Sequence, residues 1–312
     1  MTNSDSYNYL QYSKLLQQQF SQRIQKISIN AGFTCPNRDG SKGAGGCTYC
    51  NNQAFAPEYC QPTKSVSQQI AEGIDFFHHK YENQLYFAYF QSYTNTYGDF
   101  NKLISLYEEA LAHPKVVGLA IGTRPDCIND KLLDYFQNLA KKYYVMLEYG
   151  VESTDDRTLR AVNRGHDYAC AVQAIVKTAA RGINTAAHLI LGLPGETREI
   201  ILSHADRLSQ LPLTALKLHQ LQIIKGTEMA REFIENPARF TVYNADEYVD
   251  LAVDFLERLN PNIAVERFVS QSPPELLLAP DWGLKNFEFN HKIERRLRER
   301  KTWQGRLIVN YI

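Results

Sequence analysis

No long apolar run occurs in the N-terminal part of this 312-residue chain. Residues 1–22 are polar and rich in Gln, Ser and Tyr. They lack both the apolar centre of a signal peptide and the roughly 20 apolar residues that a membrane-spanning helix needs. A cytoplasmic location with no membrane partner is the expectation. Charge of one sign is missing too: 34 Lys and Arg balance 34 Asp and Glu. No global field recruits nucleic acid, so any polyanion must meet a local patch. Low-complexity tracts and fixed-period repeats are absent, and 44% apolar with 22% charged residues excludes a disordered or collagen-like chain. Cysteine is sparse, at six residues. In a reducing compartment these read as metal or catalytic chemistry before disulfides, and the length permits one large α/β core without them.

Short β-rich runs alternate with amphipathic helical stretches. Strands are expected at 23–30, 84–91, 116–122, 143–150, 183–191 and 215–221, and helices at 65–80, 100–113, 130–141, 169–181 and 196–210. Six βα units of this kind point to a parallel sheet buried on both faces. Polar or Gly-rich chemistry follows nearly every strand, and in such folds the sites gather at the strands' C-terminal ends. The expected division is a polar segment 1–22, a barrel-like unit 23–225 and an appended α+β, substrate-facing layer 226–312. That layer has an acidic helix to about 259, a β run at 263–268, a basic helix and a last run at 306–311. In the basic stretch, Lys292, Arg295, Arg296, Arg298, Arg300, Lys301 and Arg306 face only Glu294 and Glu299 in sequence. Such a stretch is either a phosphate-binding patch or a solvated helix face with local ion pairs.

Cys35, Cys47 and Cys50 lie directly after the first strand, in a loop made pliable by Gly40, Gly43, Gly45 and Gly46. Thiolates suit iron–sulfur clusters and zinc alike. Three ligands would leave one iron of a four-iron cube open, whereas Cys60 would complete a four-thiolate zinc site, and spacing alone leaves both open. The βα units behind the loop favour the cluster, because a zinc knuckle needs no barrel mouth. Cys127 and Cys170 stand alone, as small buried side chains often do.

The cysteine loop after the first of six βα units resembles that of the radical S-adenosylmethionine superfamily, whose fold is a partial (β/α)6 TIM-like barrel. Eleven residues separate Cys35 from Cys47, where the common form has three. In this the chain is similar to the group around the catalytic subunit of Elongator, above all to its bacterial YhcC/YtqA-type members. That likeness covers nearly the whole sequence and lacks the acetyltransferase domain. It implies a [4Fe-4S] cluster on Cys35, Cys47 and Cys50, with S-adenosyl-L-methionine on the open iron. Reductive cleavage there would yield a 5′-deoxyadenosyl radical that takes hydrogen from a substrate.

The same resemblance implies roles for single residues. Tyr49 would sit beside the adenine, and Arg164 would pair with the methionyl carboxylate. Glu152, where relatives usually have Gln, would contact the ribose or amino group. Ile190 would line the adenine, and His188 would either face the site or be a core residue. Ser92 and Thr94 stand where relatives carry a Gly-rich motif; their hydroxyls would accept from the cosubstrate or cap a turn. The run Thr123-Arg124-Pro125-Asp126-Cys127 resembles that of the Elongator-like group and puts Arg124 at the mouth, with Cys127 either reactive or structural. His219 and Gln220 are candidates for the substrate side.

The Elongator-like resemblance implies a tRNA base as substrate, at the C5 substituent of the wobble uridine, with the basic helix and Trp303 contacting RNA. A flavodoxin or ferredoxin would supply electrons. Two other readings stay open: a small-molecule substrate, as in the related coproporphyrinogen dehydrogenases, and a non-catalytic zinc protein built with Cys60.

Overall fold

The computed structural model describes residues 8–51, 57–78 and 83–308. In chain order its elements are α1 (Tyr12–Gln19), β1 (Arg23–Ile29), α2 (Val66–His78), β2 (Gln84–Phe90), α3 (Phe100–Leu111), β3 (Val116–Thr123), α4 (Asp130–Leu139), β4 (Tyr144–Glu152), α5 (Asp156–Ala161), α6 (Tyr168–Ala179), β5 (Asn184–Leu191), α7 (Arg198–Leu208) and β6 (Ala215–Gln220). They continue with β7 (Ile223–Ile224), α8 (Glu228–Glu235), α9 (Ala245–Arg258), β8 (Ala264–Arg267), β9 (Leu277–Ala279) and α10 (Asn286–Glu299). The six expected strands are all present.

Seven parallel strands in the order β1-β2-β3-β4-β5-β6-β8 form one curled, open half-barrel. A parallel pair needs a crossover, and the helices between successive strands supply it. Alternate strand residues serve two layers. On β4, Val145, Leu147, Tyr149 and Val151 pack under the helices, while Tyr144 and Met146 face the barrel interior with Phe87, Ala186, Ala215 and Ala264. Phe87 and Tyr144 stack at 4.6 Å, and the Tyr144 hydroxyl lies 3.0 Å from that of Tyr12 on α1. Helix α1 thus plugs the barrel's lower end, with Leu16 in the same cluster. Side-chain caps hold the helix starts: Asp99, Asn129, Asp167 and Thr197 accept from backbone N–H groups, each contributing about 1 kcal/mol.

Two expectations need correction, and the ion pairs bear on the two readings of the basic stretch. The β run expected in the appended layer is β8, which pairs parallel with β6 as the seventh strand of the main sheet. The last run does not begin as a strand: 304–307 are turn, and 309–311 lie outside the described residues, as do 79–80 of the expected first helix. The basic helix is largely neutralised by α9. Lys292, Arg296 and Arg300 pair in step with Asp246, Asp250 and Asp254, the lysine at 2.9 Å and Arg300 to Asp254 at 2.5 Å. Arg306 reaches Glu257 at 3.1 Å. Both rows repeat every fourth residue, so one face of each helix carries them.

Candidate active site

The loop from β1 to α2 carries Cys35, Cys47 and Cys50 over the C-terminal ends of the strands, and all three line one cavity of about 230 Å³. Backbone bonds tie this loop down: Thr48 N–H donates to the Val162 carbonyl, and Met229 N–H at the start of α8 donates to that of Thr48. Two asparagines add side-chain bonds. Asn37 donates to the Asn163 carbonyl at 2.6 Å, and Asn163 donates to Gly46 and Ala44 at 2.8 and 3.2 Å. Asn163 has φ +51, a left-handed conformation that Asn tolerates better than most residues.

Arg164 follows at the cavity wall. Its guanidinium donates to the Gly150 carbonyl at 2.6 Å and approaches Cys47 Sγ at 3.6 Å, while its buried Nε has no partner. A Cβ on Gly150 would stand 2.5 Å from Glu152 Oε1 and 2.6 Å from that guanidinium, so a larger residue here would displace both side-chain ends. Glu152 lies 3.9 Å from Arg164. A bulge in the β4–β5 register and φ +67 swing its side chain to the cavity. Burial raises its carboxyl pKa, against the pull of Arg164.

Of the remaining expected residues, Tyr49, Thr94, Arg124, His188, Ile190 and His219 line the cavity. Tyr49 and Ile190 pack against one apolar cluster. Arg124 forks onto Asp126 at 2.9 and 3.1 Å and donates to the Arg164 carbonyl at 2.8 Å. Burial raises the Asp126 pKa, but the bonds and charge of Arg124, with Lys42, outweigh it and hold the carboxyl at about 2.

Ser92 and Cys127 are not part of the described lining. Ser92 is buried outside it. The Cys127 thiol points to Asp126 at 3.7 Å, and burial beside that carboxylate pushes it up to about 12. Nor is Glu196 of the turn after β5 at the cavity; it binds Ser153 at 2.6 Å and His204 at 3.0 Å.

The cavity floor holds charges that the sequence reading passed over. Glu148 on β4, fully buried, bonds Lys26 at 2.6 Å, Lys217 at 2.5 Å and His188 Nε2 at 2.9 Å, and Glu266 bonds Lys26 at 2.7 Å. Burial raises the Glu148 pKa, yet the two ammonium groups bring it well below the ordinary carboxylate value. Burial and Lys217 lower His188 to about 4, so at neutral pH its Nε2–H donates to Glu148. Arg267 on β8 donates to His219 Nε2 at 2.6 Å. Glu148 inside the otherwise apolar run of β4 and Lys217 between the leucines of β6 were the available signal.

The donor set fits a polynuclear cluster. Among the described residues, no three His, Cys, Asp or Glu side chains converge on one ion. Cys35, Cys47 and Cys50 line one cavity, and in a four-iron cube each thiolate would ligate a different iron. Cys60 is in the main apolar core and outside that lining, its thiol pushed up to about 11 by burial. Beside the thiols, the free Arg164 Nε and the Thr94 hydroxyl offer hydrogen bonds, and Tyr49 and Ile190 offer an apolar face, to a ligand with both polar and aromatic parts.

The profile of the Radical SAM superfamily matches residues 33–208, and that of the Radical_SAM C-terminal domain matches residues 213–299. The uncharacterized protein YtqA of Bacillus subtilis is 33% identical over 96% of this chain and 92% of its own length. The tRNA uridine(34) acetyltransferase of Dehalococcoides mccartyi is 26% identical over 56% of this chain and 37% of its own. Among solved structures, the Elp3 of the archaeon Methanocaldococcus infernus superposes with a TM-score of 0.67 at 15% identity, over 90% of this chain and 64% of that one. No helix among the described residues is long and apolar enough to cross a membrane.

Proposed function

This chain belongs to the radical SAM superfamily and is a radical SAM enzyme using a [4Fe-4S] cluster and S-adenosylmethionine; from that premise we propose that it modifies a tRNA base, at the C5 substituent of the wobble uridine. When bound, the cluster and cosubstrate supply a 5′-deoxyadenosyl radical that abstracts hydrogen. The single observation carrying the site is that Cys35, Cys47 and Cys50 line one cavity with Arg164, Glu152 and Tyr49.

In this reading Cys35, Cys47 and Cys50 hold the cluster. Arg164, with Nε free, takes the methionyl carboxylate by a charge-assisted bond. Glu152 and Thr94 would bond the ribose and amino groups, while Tyr49 and Ile190 would offer the adenine an apolar face. Ser92 and Cys127, off the cavity, support the walls instead. Arg124, locked to Asp126, fixes the backbone that leads to Arg164. His188 and His219 face the substrate, and the buried strands below keep water from the reacting atoms.

The uridine assignment is supported by the shared architecture with Elp3 and the partial likeness to a tRNA uridine(34) acetyltransferase. Arg298 and Lys301, exposed and without an ion pair among the described residues, lie near the exposed Trp303 and suit contact with RNA. One observation favours a second reading, a small-molecule substrate: Lys292, Arg296 and Arg300 are spent on α9, and Arg295 pairs with Glu299 of its own helix. Comparing modified nucleosides in tRNA from a deletion strain and its parent decides between them. Loss of one C5-modified uridine supports the tRNA reading; unchanged profiles, with turnover that needs no RNA, support the other.

A further inference from the structure

Strand β8 does one thing that an ordinary parallel strand would not. Side chains alternate between faces. Val265 joins the outer core with Phe268, and Glu266 turns inward to Lys26. Regular alternation would then send Arg267 outward. The register with β6 slips at this point, Leu216 pairing with Val265 and Lys217 with Arg267. The bulge aims two consecutive side chains, Glu266 and Arg267, at the interior, a re-aiming for which bulges next to active sites are known.

What Arg267 finds there is a neutral neighbour. Its guanidinium donates to His219 Nε2 at 2.6 Å, so that nitrogen accepts and the ring proton sits on Nδ1. Its own Nε is buried with no hydrogen-bond partner. No carboxylate pairs with it among the described residues. Glu148 and Glu266 are engaged by Lys26 and Lys217, and Glu152 is taken by Arg164 at 3.9 Å. The floor thus carries three cations, Lys26, Lys217 and Arg267, against two carboxylates, Glu148 and Glu266. A charge held largely out of water without a counter-ion is costly, and the fork geometry of arginine suits planar or tetrahedral oxyanions.

We infer that Arg267, with His219 beside it, is the subsite for an oxyanion group of the substrate, a carboxylate or a phosphate. The inference rests on the reading of this cavity as the substrate site and adds a requirement to it: the substrate carries an anionic group that reaches the β6–β8 side of the barrel. An incoming oxyanion accepts from Arg267 Nε and an Nη, and balances the third cation of the floor. Gln222 lines the same wall with its amide NH2 available, its Oε1 accepting from Ser272 at 2.9 Å, while Gln220 beside it is held by the Ser270 backbone.

The test uses the anaerobically reconstituted protein labelled in its histidine rings, titrated with sodium phosphate and, in a second arm, with sodium acetate at fixed ionic strength. The His219 signals are identified with His219→Gln. A saturable shift of His219 is expected, with affinity at least tenfold weaker in Arg267→Met, or in Arg267→Gln should the first variant not fold. Tighter phosphate would mark a phosphate-bearing substrate, tighter acetate a carboxylate-bearing one. No saturable response, or equal affinity in the variants, overturns the subsite. Full displacement of the anion by S-adenosylmethionine also overturns it, since the group would then be the cosubstrate's own carboxylate. Formation of 5′-deoxyadenosine by the wild-type sample is measured separately, so failure of the parent reading and failure of the subsite are told apart.

Discussion

Asn37 donates its side-chain amide to the backbone carbonyl of Asn163 at 2.6 Å, joining the cysteine loop to the residue that precedes Arg164. Asn163 returns the contact through Gly46 and Ala44. One clasp therefore sets the position of Cys47 against the Arg164 guanidinium.

Asn163→Ala removes two of these bonds and puts a side chain with no polar group at φ +51. A loss of roughly 2 kcal/mol is expected from the missing bonds and backbone strain. The protein should also take up less iron and sulfide on reconstitution, while Asn163→Gly, which relieves the backbone, should fall between the two. Denaturant unfolding and metal analysis check both.

Lys217→Met leaves buried Glu148 with Lys26 and His188 alone. Breaking a buried pair from one side is expected to cost about 3–5 kcal/mol. The double variant Lys217→Met with Glu148→Gln should recover part of that. A double-mutant cycle in urea measures the coupling, and additive losses would contradict it.

Acid stability should report on Asp126. Its folded pKa of about 2 is below the usual carboxylate value, so its contribution is full above about pH 4 and fades as pH falls toward 2. The contribution is on the order of 2 kcal/mol. Unfolding free energies of wild type and Asp126→Asn should differ at pH 5 and converge near pH 2.

Cys60 separates two kinds of metal site. Because it is in the apolar core, Cys60→Ala should keep its iron and lose only packing, about 1 kcal/mol. Cys50→Ala should lose most of the iron. Equal loss in both would favour a four-thiolate site.

The sequence made the sheet legible because both faces of its strands are buried, which leaves unbroken runs such as Leu85–Phe90 of β2. The cysteines were legible from spacing and from the strand before them. Other features depend on partners far away in the chain. Glu152 reaches the cavity only through a bulge and a left-handed backbone, and Arg267 only through the slip in β8. Residues 264–267 looked like part of an added layer, since nothing local says that they pair with β6. The basic helix left two readings open because its charge was read alone; the matching four-residue spacing of Asp246, Asp250 and Asp254 was in the sequence all along.

The most direct measurement is 5′-deoxyadenosine formed from S-adenosylmethionine by the reduced, reconstituted protein under anaerobic conditions. The account predicts turnover in wild type and at least a hundredfold loss in Cys35→Ala, Cys47→Ala and Cys50→Ala. A fully iron-loaded wild type that forms none, or turnover that survives in the Cys50 variant, would contradict it.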